Sequence, residues 1–296
     1  MKTFYIIAAV SLAISCKTPV KRIMTLPETP IAQVSLLSET TGLSHAESVI
    51  YDENYNRLYV SVQGEQEPGD GGIVTMDLKG NIINKSFTTG LNNPKGLAIL
   101  GDWIYVSDVT ELVGINRQTG EILKRYPVGD EHFLNDVTVD DDNNVYVSDM
   151  RTSSIYQLKG SSKLIKWISS PLLENPNGLL ALNNTIYVAA WGLPSKVEGQ
   201  NSKGRFIKVD INSKKIENIT VDPQGNLDGV QVFDDNHFLI SDWRAGTISI
   251  AAKNGSFKPF FRSEMSVGDI LYIRDKQLLA LPLNRQNKVL IYKVNQ

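Results

Sequence analysis

The sequence predicts an all-β chain in which one four-stranded sheet is repeated six times, and two observations predict it. From residue 31 onward apolar residues alternate with polar ones in short runs broken by Gly, Asn and Asp, and no stretch carries the period of an amphipathic helix. Those runs recur at a spacing of about 40 residues, the length of a four-stranded unit. Radial repetition of such a unit buries both faces of each sheet against its neighbours, which is the arrangement of a six-bladed β-propeller.

Each element follows from this pattern. First strands are expected at Glu47 to Asp52, Lys95 to Leu100, Asn135 to Asp140, Asn177 to Leu182, Asp228 to Phe233 and Asp269 to Ile273. Second strands follow at Arg57 to Val62, Trp103 to Asp108, Asn144 to Asp149, Thr185 to Ala190, His237 to Asp242 and Gln277 to Pro282. They are rich in β-branched and aromatic residues, as in Val145-Tyr146-Val147, and tight polar turns separate them. Third and fourth strands complete each unit, as Ser154 to Leu158 and Leu164 to Ile168 do in the third. The sixth copy runs out after three strands, so Ile31 to Ser38 is expected to supply its outer strand and close the ring.

Composition narrows the function. With 296 residues, 42% of them hydrophobic, the chain can bury a core without cross-links. Its formal net charge of -2, with both signs mixed along the chain, gives no basic stripe for nucleic acid. Cys16 is the sole cysteine, which excludes an intramolecular disulfide and a Cys-rich metal site. It closes a short segment with Lys2, an apolar run from Phe4 to Ile14 and then Ser15, the build of a secretory signal and too short to span a membrane. The Ala-Ile-Ser-Cys ending resembles a bacterial lipoprotein signal, which implies a lipid anchor on Cys16, a tether over residues 17–30 and a place in the cell envelope, periplasmic or on the outer surface. A monomer is expected.

The first strand of each propeller blade lines the central channel, so six residues far apart in sequence should meet at one mouth. They are Glu47, Lys95, Asn135, Asn177, Asp228 and Asp269, all polar or charged, each followed by a mostly apolar strand. Carboxylates gathered at one axis are costly to bury uncompensated. A hard divalent cation, bound through carboxylate and amide oxygens, compensates them best. The plainer alternative is that Asn177-Gly178 and Asp228-Gly229 are turn-forming dipeptides and nothing more.

Four of these openings, Ala46-Glu47-Ser48, Leu134-Asn135-Asp136-Val137, Pro176-Asn177-Gly178-Leu179 and Leu227-Asp228-Gly229-Val230, resemble the blade-opening motifs of the SMP-30/gluconolactonase/LRE-like six-bladed propellers. That resemblance, over residues 31–296, implies a catalytic divalent cation held by Glu47, Asn135, Asn177 and Asp228, usually Ca2+, with Zn2+ or Mg2+ accepted in some members. It also implies hydrolysis of a lactone or related ester, a small-molecule substrate, with Asp228 as general base. Sugar-lactone hydrolases of the family carry an arginine two residues before the first Asn; Phe133 stands there, so sugar specificity does not carry over. Lys95 and Asp269, on the blades flanking that of Glu47, are further candidates: Lys95 to pair with Glu47 or donate to a substrate oxygen, Asp269 to carry a proton or reach the cation through water. A non-catalytic propeller that binds a ligand or protein, with the cation as a structural pin, is the competing expectation.

Around the same mouth the loops Gln63 to Gly72 and Gly192 to Gly204 are enlarged and are candidates for a selectivity wall. Trp191 and Trp243 could face a ring or acyl chain. Asp108, Asp149 and Asp242 read as turn caps, and His45 and His132 as loop histidines. No phosphate-binding glycine loop, nucleophile elbow or His-Glu-x-x-His segment is present.

Overall fold

The computed structural model describes residues 33–65, 67–160, 163–194 and 202–295. The expected signal (residues 1–16) and tether (17–30) lie outside these, as does the middle of the second enlarged loop. The described residues form six sheets of four antiparallel strands joined by turns and loops, five of them in plain meander order. Among the described residues the helical ones are two single 3-10 turns, Pro171–Leu173 and Asn284–Gln286. Among the described residues no helix is long and apolar enough to cross a membrane.

The inner strands are Ala46–Asp52, Leu97–Leu100, Leu134–Val139, Pro176–Leu182, Leu227–Val232 and Leu271–Ile273. Blades two and six start late, and their opening backbone bonds across to the next blade. Gly96 N–H donates to Asn135 O at 3.0 Å, and Asp269 N–H to Glu47 O at 2.8 Å. The sixth sheet departs from meander order as expected. Gln33–Thr41 lies antiparallel to Lys288–Asn295, with Gln33 opposite Asn295 and a bulge between Leu36 and Ser38. The N-terminal strand is thus the outer strand of the last blade and continues past Ser38.

Burial divides into six apolar clusters, one at each contact between neighbouring blades. Period-two alternation explains how one strand serves two clusters. In Arg57–Val62, Leu58 and Val60 pack toward blade six, while Tyr59 between them packs toward blade two. The contact between blades six and one is built like the others, from Leu271, Ile273 and Ile291 against Leu58, Val60 and Met76. Second strands therefore read as nearly continuous apolar runs, because neither face meets water.

A serine in the second strand recurs where that run is interrupted. Ser148 accepts from Asp136 N–H at 2.8 Å and donates to Asn177 O at 2.7 Å; Ser241 accepts from Gly229 N–H and donates to Gly268 O. Ser107 donates to Asn135 O, and Ser61 accepts from Ser48 N–H. Each fully buried hydroxyl thus satisfies backbone groups at a blade opening and, in three blades, ties it to the next.

Candidate metal and active site

Glu47, Lys95, Asn135, Asn177 and Asp228 line one cavity of about 240 Å³ at the mouth of the channel, together with Gln63, Phe133, Met150, Trp191, Trp243 and Asn284. Residues 181 positions apart in the chain, Glu47 and Asp228, are brought together because each opens an inner strand. Asp269 does not line the cavity. Its carboxylate accepts from the Ser48 hydroxyl at 2.6 Å, and its backbone bridges in parallel to Ser48.

Gly178 and Gly229 answer the turn alternative. Neither takes a left-handed φ, and both lie inside strands. What excludes a side chain is crowding: a Cβ on Gly178 would run into the Asp228 carbonyl, and one on Gly229 into the backbone of Asp269 and Ile270. The glycines let neighbouring inner strands approach closely enough for their opening side chains to share a site.

The two amides are oriented by what their nitrogens bind. Asn177 Nδ2 donates to Leu227 O at 3.1 Å and to Asp228 Oδ2 at 2.9 Å, and Asn135 Nδ2 lies 2.8 Å from the Met150 sulfur. Asn177 Oδ1 is buried with no partner, and so is Glu47 Oε2. Native proteins rarely leave such atoms unsatisfied, because each forfeits its hydration. Lys95 Nζ is 3.9 Å from Glu47 Oε1, the expected pairing but a loose one, and 5.0 Å from the centre of the Phe133 ring.

Electrostatics agree with the hydrogen bonds. Burial pushes the Glu47 carboxyl up, and the Lys95 ammonium offsets only part of this. Burial, then the nearby Glu47 and Asp269 charges, raise Asp228 well above the ordinary range against the Asn177 amide and Lys95. Asp269 is pushed up to about 7, by burial first and Glu47 next, with the Ser48 hydroxyl opposing. Asp136 belongs to the same group; it opens the third inner strand beside Asn135, but sequence alone gave it no role as ligand or base. It is raised well above its usual value by burial, Asp269 and Asp228, although it accepts from Leu179 N–H at 2.6 Å and Val137 N–H at 2.7 Å. Its signal was the position after the opening residue, which holds Ser48, Gly96, Gly178 and Gly229 in other blades and a carboxylate only here.

Four buried carboxylates thus face one ammonium, an imbalance that a divalent cation would relieve. Hard oxygens from Glu47, Asn135, Asn177 and Asp228 are a donor set that such a cation accepts, and two of those oxygens are unpartnered. Among the described residues no three His, Cys, Asp or Glu side chains form a metal-holding group; this set is two carboxylates and two amides. His45 Nδ1 contacts Gly64 O and His132 Nδ1 contacts Asp149, and neither lines the cavity. Asp108, Asp149 and Asp242 accept loop N–H groups, such as those of Asn92 and Asn93, Phe133 and Arg151, and Arg244 and Ala245, so they cap the loops around the mouth.

No family model matches the chain, and no curated protein matches it in sequence. Solved structures share its fold. A gluconolactonase of Xanthomonas campestris aligns with a TM-score of 0.67 at 14% identity, over 89% of this chain and 90% of that one. A calcium-binding protein, regucalcin, of Agrobacterium tumefaciens gives 0.65 at 15% identity, covering 88% and 93%. A streptogramin B lyase gives 0.63 at 11% identity, covering 89% and 98%. At these identities the likeness establishes a β-propeller, a scaffold shared by proteins of different activity.

Proposed function

We propose that the protein is a divalent-cation-dependent hydrolase of a lactone or related ester, with Ca2+ the best match to its all-oxygen ligand set. The observation that carries this reading is the pair of buried, unpartnered oxygens, Glu47 Oε2 and Asn177 Oδ1, in a cavity that also holds Asn135 and Asp228. The gluconolactonase and the calcium-binding regucalcin on the same fold support it. A divalent cation held there supplies a Lewis acid for the carbonyl oxygen and the positive charge that keeps Asp228 ionised.

The chain's own residues do the rest. Asn177 fixes the Asp228 carboxylate through Nδ2, and Asp228 takes a proton from the attacking water. The water oxygen bonds to the carbonyl carbon, the carbon–oxygen ester bond breaks, and the proton passes to the leaving oxygen, giving a hydroxy acid from a lactone. Lys95 balances Glu47 and offers its ammonium to a substrate oxygen. Asp269, outside the cavity wall, accepts from the Ser48 hydroxyl and serves as a proton carrier near Glu47.

The test is a panel of lactones, aryl esters and phosphotriesters assayed with and without chelator. Chelator-sensitive turnover is expected. A melting temperature that falls on chelation, with no turnover of any substrate, would instead make the cation a pin in a non-catalytic binding propeller. We further place the protein in the cell envelope through a lipid on Cys16; membrane partitioning that persists in Cys16→Ser would remove that placement.

A further inference from the structure

The cavity has a polar floor and an apolar wall, and the wall is where the substrate class is decided. Its polar side chains are the opening residues and the pair Gln63 and Asn284. That pair is engaged with itself: Asn284 Nδ2 donates to Gln63 Oε1 at 3.2 Å and to His45 O at 3.2 Å. The remaining lining is Phe133, Met150, Trp191 and Trp243.

These side chains are held on a fixed backbone. Trp191 N–H donates to Asn175 O at 3.0 Å, and its carbonyl accepts from Asn226 Nδ2 at 2.9 Å. The carbonyl of the same buried Asn226 accepts from the Trp243 backbone N–H at 3.0 Å, so one residue fixes the backbone that carries both indoles, whose rings lie 6.0 Å apart. The Arg285 guanidinium is 4.7 Å from the Trp243 ring centre. Across the cavity Phe133 N–H donates to Asp149 Oδ1, and Phe133 O accepts from Met150 N–H, each at 3.0 Å. A wall carried on a fixed backbone, with its two indoles packed on each other, needs little backbone rearrangement to receive a ligand.

We infer that the site takes a lactone or ester bearing an apolar ring or acyl chain, seated on Phe133, Met150, Trp191 and Trp243, in preference to a polyhydroxylated sugar lactone. This rests on the hydrolase reading for the word ester, and on the cavity alone for the apolar group. The volume of about 240 Å³ exceeds the roughly 150 Å³ that accommodates benzene. Sugar hydroxyls turned onto the wall would lose water and find no partner there. A methylene laid on the same surface gains the transfer free energy of its apolar area, about fourfold in affinity.

The experiment is calorimetric titration, in calcium-containing buffer, of non-hydrolysable δ-lactams with alkyl tails of increasing length, against the polyhydroxylated gluconolactam. Tightening of roughly fourfold per methylene over the first few carbons is expected, with gluconolactam at least tenfold weaker than the shortest alkyl lactam. Trp191→Ala and Trp243→Ala should flatten the tail dependence, and Trp191→Phe, which keeps an aromatic face, should retain most of it and controls for misfolding. Equal or tighter binding of gluconolactam, a tail dependence unchanged in both alanine variants, or no lactam binding overturns the inference. Tail-dependent binding without hydrolysis of any ester would defeat the hydrolase reading and leave the ligand class standing; efficient hydrolysis confined to sugar lactones would do the reverse.

Discussion

The strand Ala46–Asp52 carries a buried carboxylate near each end, and the two are treated in opposite ways. Asp52 accepts from Arg117 Nε at 2.6 Å, from a second Arg117 nitrogen, from the Tyr59 hydroxyl at 3.0 Å and from Tyr55 N–H at 3.1 Å. Burial pushes it up, yet the Arg117, Tyr55 and Tyr59 hydrogen bonds together hold it below the usual carboxylate range. Glu47, about 17 Å away along the same strand, has one oxygen unpartnered, a loose ammonium at 3.9 Å and a raised pKa. A carboxylate that joins two blades is given every hydrogen bond it can accept, whereas one reserved for a ligand is left short of them.

Four outcomes would sharpen or break this contrast. The largest is expected at the open end: Asp228→Ala should lower turnover by on the order of a thousandfold or more while leaving the melting curve of the calcium-free protein nearly in place. Full activity in that variant would remove the assignment of the base. Next is the closed end. Arg117→Met leaves Asp52 buried without its cation and should cost about 3–5 kcal/mol of stability, seen in denaturant titration, with kcat/KM of the surviving fold unchanged; adding Asp52→Asn should recover part of the loss.

A smaller effect is expected from the ion itself. Calcium at a hundredfold above its Kd should stabilise the native protein by about 2.7 kcal/mol, and Glu47→Gln or Asn177→Leu should abolish that gain. Stabilisation that persists in both would move the ion elsewhere. Smallest is a pH effect at the closed end. Because the folded Asp52 pKa lies below the unfolded one, its contribution is complete above the ordinary carboxylate pKa and is lost as pH falls through the folded value. Wild type should therefore lose stability more steeply than Asp52→Asn in the acid range below about pH 4, and equal slopes would count against the network.

What was legible in the sequence is what repeats. Period-two runs and their spacing locate the six inner strands to within two residues, and the opening positions follow from them. The converging floor of Glu47, Lys95, Asn135, Asn177 and Asp228 was readable on that basis alone. Less was legible where blades meet, because those contacts join unrelated parts of the chain. Asp136 is bonded to Leu179, 43 positions on, and Ser148 to Asn177, 29 positions on. Gly178 and Gly229 were ambiguous for another reason: a turn glycine and a close-approach glycine are the same letter, and only the backbone angle and the neighbour distinguish them. Gln63, Met150 and Asn284 each follow the last residue of a second strand, as Trp191 and Trp243 do, so the position repeats while its residue type does not, and only the enlarged loop at Gln63 and the two tryptophans drew notice in the sequence.

The pairing of Gln33–Thr41 with Lys288–Asn295 has a mechanical consequence. Gln33 faces Asn295, so tension that draws these two residues apart loads the ladder one rung at a time, from that end inward, instead of shearing all rungs together. Under such a pull the outer strand should peel from Lys288–Asn295 in sequence, from Gln33 toward Thr41.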